Sequence, residues 1–175
     1  MPTLYTIGHS THTLEEFIKL LKLYGITQIV DIRTVPKSRH VPWFNKDTFK
    51  AKLKGERILY KHLPKLGGLR HSSKSSINTG WYNASFRGFA DYMQTKTFYL
   101  GLKELNQLLK NRNKVAIMCA EAVPWRCHRS LIADAEVVRK IKVLHIISYK
   151  SVKVHELTSF AKVDRSKRPI AITYP

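Results

Sequence analysis

The stretch from Leu4 to Ile32 constrains the fold most. Leu4-Tyr5-Thr6-Ile7 is a short buried-type strand that Gly8-His9-Ser10 breaks, and residues 26–32 read as a second strand ending at Asp31-Ile32-Arg33. Between them, Thr13 and Glu16 have the spacing of a capping box, while Leu14, Phe17, Ile18 and Leu21 recur on one helical face. Gly25 supplies the left-handed stop. Strand, helix and strand in about thirty residues make a βαβ unit. Its crossover is nearly always right-handed and its two strands are parallel.

The rest of the chain extends that pattern. A short helix is expected over 47–54, a third strand over 57–62, and helices from Asn83 to Met93 and from about Thr97 to Lys110. Val115–Met118 is a fourth strand, a Pro124 turn leads to a helix from near Cys127 to Lys140, and residues 143–147 form a fifth strand. A last strand is expected at 170–172. The loops at 34–45 and 63–80 are long and basic, as is the tail from about 150. With 175 residues and no linker, repeat or low-complexity block, the expectation is a single α/β domain over 1–175, with a mainly parallel sheet of about five strands flanked by helices.

Thirty-one Lys and Arg against twelve Asp and Glu give a formal charge of +19, which must lie mostly on the surface because unpaired buried charge is costly. A polyanionic partner, nucleic acid or nucleotide, is therefore expected. No apolar run approaches the roughly 20 residues needed to span a bilayer, and no signal-peptide pattern opens the chain, so no membrane partner and a cytoplasmic location are expected. Two cysteines cannot build a secreted-type disulfide framework. No feature specifies an oligomeric state.

Three strand ends share one grammar, an apolar run followed at once by polar, reactive residues: Gly8-His9-Ser10, Asp31-Ile32-Arg33 and Cys119-Ala120-Glu121. In a parallel α/β sheet, ligands bind at the carboxyl ends of the strands, where such segments meet. The candidate catalytic set is Cys119, Cys127, Glu121, His9 and Asp31. Ser10, Arg33, Lys37, Arg39, Arg70, Arg126, His128 and Arg129 are candidates for holding substrate or phosphate. Cys127-His128-Arg129 falls where a helix begins, so backbone N–H groups and neighbouring positive charge favour a Cys127 thiolate. The blander reading makes both thiols small core hydrophobes.

A phosphatase- or rhodanese-type anion loop fits less well. Trp125 stands six positions after Cys119, Arg126 comes one residue late, and Glu121 would place negative charge in the cradle. Zinc is the secondary alternative for Cys119, Cys127 and His128, with His9 or Glu121 as a further ligand. The spacing matches no standard zinc pattern, so no cofactor and no metal are expected.

Together Thr6-Ile7-Gly8-His9-Ser10, Val30-Asp31-Ile32-Arg33 with Pro36, Leu66-Gly67-Gly68, and Met118-Cys119-Ala120-Glu121 through Trp125-Arg126-Cys127-His128-Arg129-Ser130 give the chain its family likeness. It resembles the domain of unknown function 488 family (DUF488) over essentially its whole length. The resemblance implies an α/β fold of prokaryotic proteins and reinforces the choice of site residues; it implies no reaction.

Three functions follow in order of preference. The first is an enzyme directed at nucleic acid or nucleotide. Lys37, Arg39, Lys65, Arg70 and Lys74 would hold phosphates, while Trp43, Phe44, Trp81 and Tyr82 would stack on bases. Cys119 or Cys127 would be nucleophile or redox thiol, His9 or Glu121 acid or base, and Arg33 or Arg129 an electrostatic clamp. The second is a basic nucleic-acid-binding protein without catalysis, and the third a thiol-dependent, rhodanese-like enzyme of small molecules.

Overall fold

The computed structural model describes residues 1–175. β1 (Thr3–Gly8), α1 (Leu14–Leu23) and β2 (Gln28–Asp31) are followed by α2 (Lys46–Gly55) and β3 (Leu59–His62). Then come α3 (Ala84–Tyr92), α4 (Lys96–Lys110), β4 (Val115–Cys119), α5 (Arg129–Val137) and β5 (Lys142–Ser148). β6 (Ser151–Val154), β7 (Lys162–Asp164) and β8 (Ala171–Thr173) complete the chain. The capped start expected at Thr13 is formed, and Asn83 and Thr95 cap α3 and α4 in the same way, each side chain accepting from backbone N–H groups of its helix's first turn.

The six-stranded sheet has the order β3-β2-β4-β1-β5-β6, parallel except for β6, which pairs antiparallel with β5. β1 crosses over β4 to reach β2, and β4 crosses over β1 to reach β5. These crossovers leave in opposite directions, so α1 and α5 lie on opposite faces. The strand order reverses between β1 and β4, and a crevice opens there at their carboxyl ends.

Alternate residues serve the two faces. Phe17, Leu21, Phe49 and Leu53 from α1 and α2 pack with Ile7, Ile29, Ala116 and Met118. Phe89, Leu102, Leu105, Leu131 and Ile132 from α3, α4 and α5 pack with Leu4, Val30, Val115 and Ile117. Strands buried on both faces explain the continuous apolar run of β4.

The expected single α/β domain with a mainly parallel sheet is formed, with differences in detail. The sheet has a sixth, antiparallel strand, and the strand expected at 170–172 belongs to a separate hairpin with β7. The helix expected from near Cys127 to Lys140 runs from Arg129 to Val137, because Pro124–Arg126 forms a 3-10 turn first. The loop at 34–45 contains a second 3-10 turn, Pro42–Phe44.

Glu136, fully buried on α5, has its carboxyl pushed up to about 8 by burial, against the opposing pull of Arg139 and Asn106. The folded state therefore holds a proton that the unfolded chain releases at lower pH, and stability falls as pH rises from about 4.5 towards 8. Glu136→Gln should remove this loss: its melting temperature should exceed that of the parent chain at pH 8 and match it at pH 4.5. Equal melting curves at both values would show that Glu136 is already ionised at no cost.

Candidate functional site

β1 and β4 are in register at their ends, Gly8 opposite Cys119. Past that point the His9 amide donates to the Cys119 carbonyl and the Ser10 amide to that of Ala120. Ser10 turns the chain away with a φ of +47°. Gly8 is required by close approach: a β-carbon there would stand 1.6 Å from the Glu121 carbonyl oxygen. The segment after β4 thus lies directly over the end of β1, folding Cys127 back towards Cys119.

A cleft of about 760 Å³ opens at this switch point. His9, Arg33, Lys37, Arg70, Cys119, Glu121, Arg126, Cys127 and His128 are among its lining residues. Two loops expected to carry function, near 34–38 and 68–72, form its sides, and Phe86 from α3 contributes an apolar wall. His9, Arg33, Cys119 and Cys127 are brought together from four separate segments.

The thiols of Cys119 and Cys127 are free and 2.7 Å apart. Cys127 Sγ lies 3.6 Å from His128 Nδ1 and accepts from the Arg129 amide at the start of α5, at 3.4 Å. His128 Nε2 donates to the Leu66 carbonyl, 3.0 Å away, which leaves Nδ1 to exchange a proton with the thiol. Burial opposes ionisation of Cys127, but the hydrogen bonds from Cys119 and His128 and the charges of His128 and Arg129 outweigh it. They hold this thiol well below the ordinary range. Burial, together with the bond to Cys127, pushes the Cys119 thiol up.

Arg129 strengthens this division. It is fully buried, yet its partners are neutral: Nη2 donates to the Glu121 carbonyl at 2.8 Å, Nη1 reaches Thr6 Oγ1 at 3.4 Å, and Nε has no partner. A guanidinium without a carboxylate counter-ion is costly to bury, and a Cys127 thiolate supplies the missing negative charge.

Beneath Arg129 the polar groups run in one direction. Thr6 Oγ1 donates to His145 Nδ1 at 2.6 Å, His145 Nε2 to His155 Nδ1 at 2.9 Å, and His155 Nε2 to Asp134 Oδ1 at 2.8 Å. Thr158 N and Tyr174 OH also donate to the fully buried Asp134. Burial pushes His145 down to about 3, so it serves as a neutral link. No sequence motif signals the pairing of His145 and His155.

Other expected residues have different settings. Asp31 is fully buried below the cleft, where it takes a bidentate pair of bonds from Arg33 at 2.9 and 2.7 Å and a third from Tyr60 OH at 2.6 Å. It positions Arg33, whose Nη2 also donates to the Phe44 carbonyl. His9 donates through Nδ1 to the Ser10 carbonyl, stacks on Phe44, and presents Nε2 to Arg33 Nη1 at 3.4 Å. Burial pushes it down to about 4, so it is neutral at pH 7. Arg39, Ser10 and Arg129 do not line the cleft.

Arg70 lines the cleft with its guanidinium 3.7 Å over the Tyr92 ring, tied to the carbonyls of Pro64 and Gly67. Lys65 is engaged by Glu104. The expected stacking role of Phe44 is corrected: the turn at Pro42 swings this ring into the core against Phe17 and Phe49. Trp81 is likewise packed between Phe86 and Phe160, whereas Tyr82 is exposed. The His, Cys, Asp and Glu side chains form no group of three or more arranged to hold a metal ion.

Gly68, part of the Leu66-Gly67-Gly68 landmark, supports the Cys–His contact. A β-carbon there would stand 2.5 Å from His128 Nδ1. Gly68→Ala should displace the imidazole and move the pH midpoint of Cys127 alkylation upward by about one unit. An unchanged midpoint would show that His128 contributes nothing to the thiolate.

An open, mostly parallel sheet with a thiol-lined cleft at its switch point defines an α/β protein whose cleft lies at the strand ends. The chain belongs to the Domain of unknown function DUF488 family, whose sequence profile matches residues 13–136. That match covers Asp31, Arg33, both cysteines and His128, while His9 and Ser10 precede it. No curated protein and no solved structure gives a significant match. No helix is long and apolar enough to cross a membrane.

Proposed function

We propose that the chain is an enzyme acting on a phosphate-bearing nucleic acid or nucleotide, with Cys127 as its nucleophile. One observation carries this reading: a Cys–His contact at the floor of a cleft lined by Arg33, Lys37, Arg70 and Arg126. His128 Nδ1 receives the thiol proton, and the Arg129 amide and guanidinium stabilise the thiolate. Arg33, braced by Asp31, and the exposed side chains of Lys37 and Arg126 hold phosphate oxygens. Glu121, exposed at the rim, serves as acid or base towards the leaving group. The reading requires no metal or cofactor.

The test combines affinity with protection. A labelled single-stranded oligonucleotide should bind more weakly as salt rises, because each neutralised phosphate releases counterions. Lys37→Glu with Arg126→Glu should weaken that binding on the order of ten-fold or more. A saturating oligonucleotide should also shield Cys127 from alkylation. Tight binding without shielding would place the nucleic acid elsewhere on the +19 surface and favour the non-catalytic binder.

A further inference from the structure

The proposed reaction uses Cys127 as nucleophile and gives Cys119 no part beyond a hydrogen bond to it, although the two sulfurs are 2.7 Å apart in the same cleft. We infer that Cys119 and Cys127 form a two-electron dithiol–disulfide couple whose oxidising substrate is a small anionic disulfide. This deepens the reading above and rests on its assignment of Cys127 as the thiolate.

Four features of the geometry support it. A disulfide has an S–S bond of about 2.05 Å, so oxidation requires only a small closing movement. Cys119 ends β4 and Cys127 lies two residues before α5, so both are anchored by regular elements while the segment between them can adjust. The asymmetry of their surroundings gives each a role. Cys127 touches His128 and the amide that opens α5, as an attacking thiolate should, whereas the other contact of Cys119 is the Glu121 carbonyl, 4.0 Å away. Arg33, Lys37, Arg70 and Arg126 line the space from which an attacked molecule would approach, and they favour carboxylate-bearing disulfides over neutral ones.

The step balances. Cys127 thiolate attacks one sulfur of the substrate disulfide, forming a mixed disulfide and expelling the first thiolate. Cys119 then gives up its proton to that thiolate and attacks Cys127 Sγ. The Cys119–Cys127 bond forms, the mixed disulfide breaks, and the second substrate thiolate leaves. The protein dithiol loses two electrons and the substrate disulfide gains them.

Glutathione disulfide is the probe, with neutral hydroxyethyl disulfide and hydrogen peroxide as comparators. The full-length protein should lose both free thiols, gain one internal disulfide without an adduct, and release two thiol equivalents. The reaction should be on the order of ten-fold faster than with the neutral disulfide at low salt. Cys119→Ser should retain one glutathionyl group on Cys127, and Cys127→Ser should acquire none at Cys119.

Persistent adduct on the parent chain, reaction through Cys119 first, or equal rates with the neutral disulfide would overturn the inference. So would oxidation by peroxide alone. Internal-disulfide formation without oligonucleotide protection would sustain this inference and defeat the nucleic-acid reading. Protection without a disulfide would do the reverse.

Discussion

At pH 7, iodoacetamide should modify Cys127 at least about ten-fold faster than Cys119, because the reactive species is the thiolate and only one of the two sulfurs is arranged to hold it. Cys127 touches an imidazole and a helix-opening amide and faces a buried guanidinium without a carboxylate. Cys119 leaves a fully apolar strand. The rate at Cys127 should fall only as pH drops through its lowered value, well below the range near 8.5 of a free thiol. Folding stability carries the same sign: the thiolate's contribution is complete above the unfolded-state value and is lost as pH falls through the folded one. His128→Ala should shift the alkylation midpoint upward. Mass spectrometry of each cysteine across pH decides the order. Finding Cys119 modified first, or both thiols inert until unfolding, would return the pair to the hydrophobic core.

Asp134→Ala should cost about 3–5 kcal/mol of folding stability, the range for removing one partner from a buried charged network. Asp134 accepts from His155, Thr158 and Tyr174, and truncation leaves those donors facing an apolar interior. The loss should appear in urea unfolding as a lower midpoint with an unchanged slope. It should also loosen the segment from β6 onward, since His155, Thr158 and Tyr174 all lie there. A loss below about 1 kcal/mol would mean that other contacts hold that segment and that the chain of histidines is incidental.

The sequence exposes those parts of the molecule whose physics is local. The cap at Thr13, the apolar stripe of α1 and the uninterrupted Val115–Met118 run each announce their element, and together they make the parallel sheet legible. The meeting of Gly8-His9-Ser10, Asp31-Ile32-Arg33 and Cys119-Ala120-Glu121 follows from the rule for strand ends. β6 is hidden because Ser151–Val154 is only four residues long and exposed throughout, so its polar–apolar alternation marks no buried face and its position is set by pairing with β5. In the hairpin, β8 overlaps the expected strand at 170–172, whereas the three-residue β7 is too short for any period to emerge.

Within the site, the residue types were readable and several of their tasks were not. Asp31 and Arg33, two positions apart, suggest two separate actors in sequence; in the fold one carboxylate grips the other's guanidinium. Phe44 has the composition of a stacking residue, but the turn at Pro42 directs it inward. Gly68 matters through a neighbour sixty positions away, a relation that depends entirely on tertiary packing.

The placement of β1 bears on how the protein acquires its structure. This strand, the first in the chain, is flanked in the sheet by β4 and β5, with Tyr5 opposite both Ala116 and Leu144. Neither neighbour exists while the amino-terminal half is emerging from a ribosome, so β1 must wait with both hydrogen-bonding edges unpaired. Pairings so distant in sequence slow folding, because loop-closure entropy is lost before the contacts repay it. The cleft shares this delay: the floor formed by Cys119 and Cys127 arrives late and then docks beside a strand made at the outset. Nascent chains stopped before Val115 should therefore expose an apolar β1 to chaperones and to one another, and the growing chain has no functional intermediate in which half of the site already works.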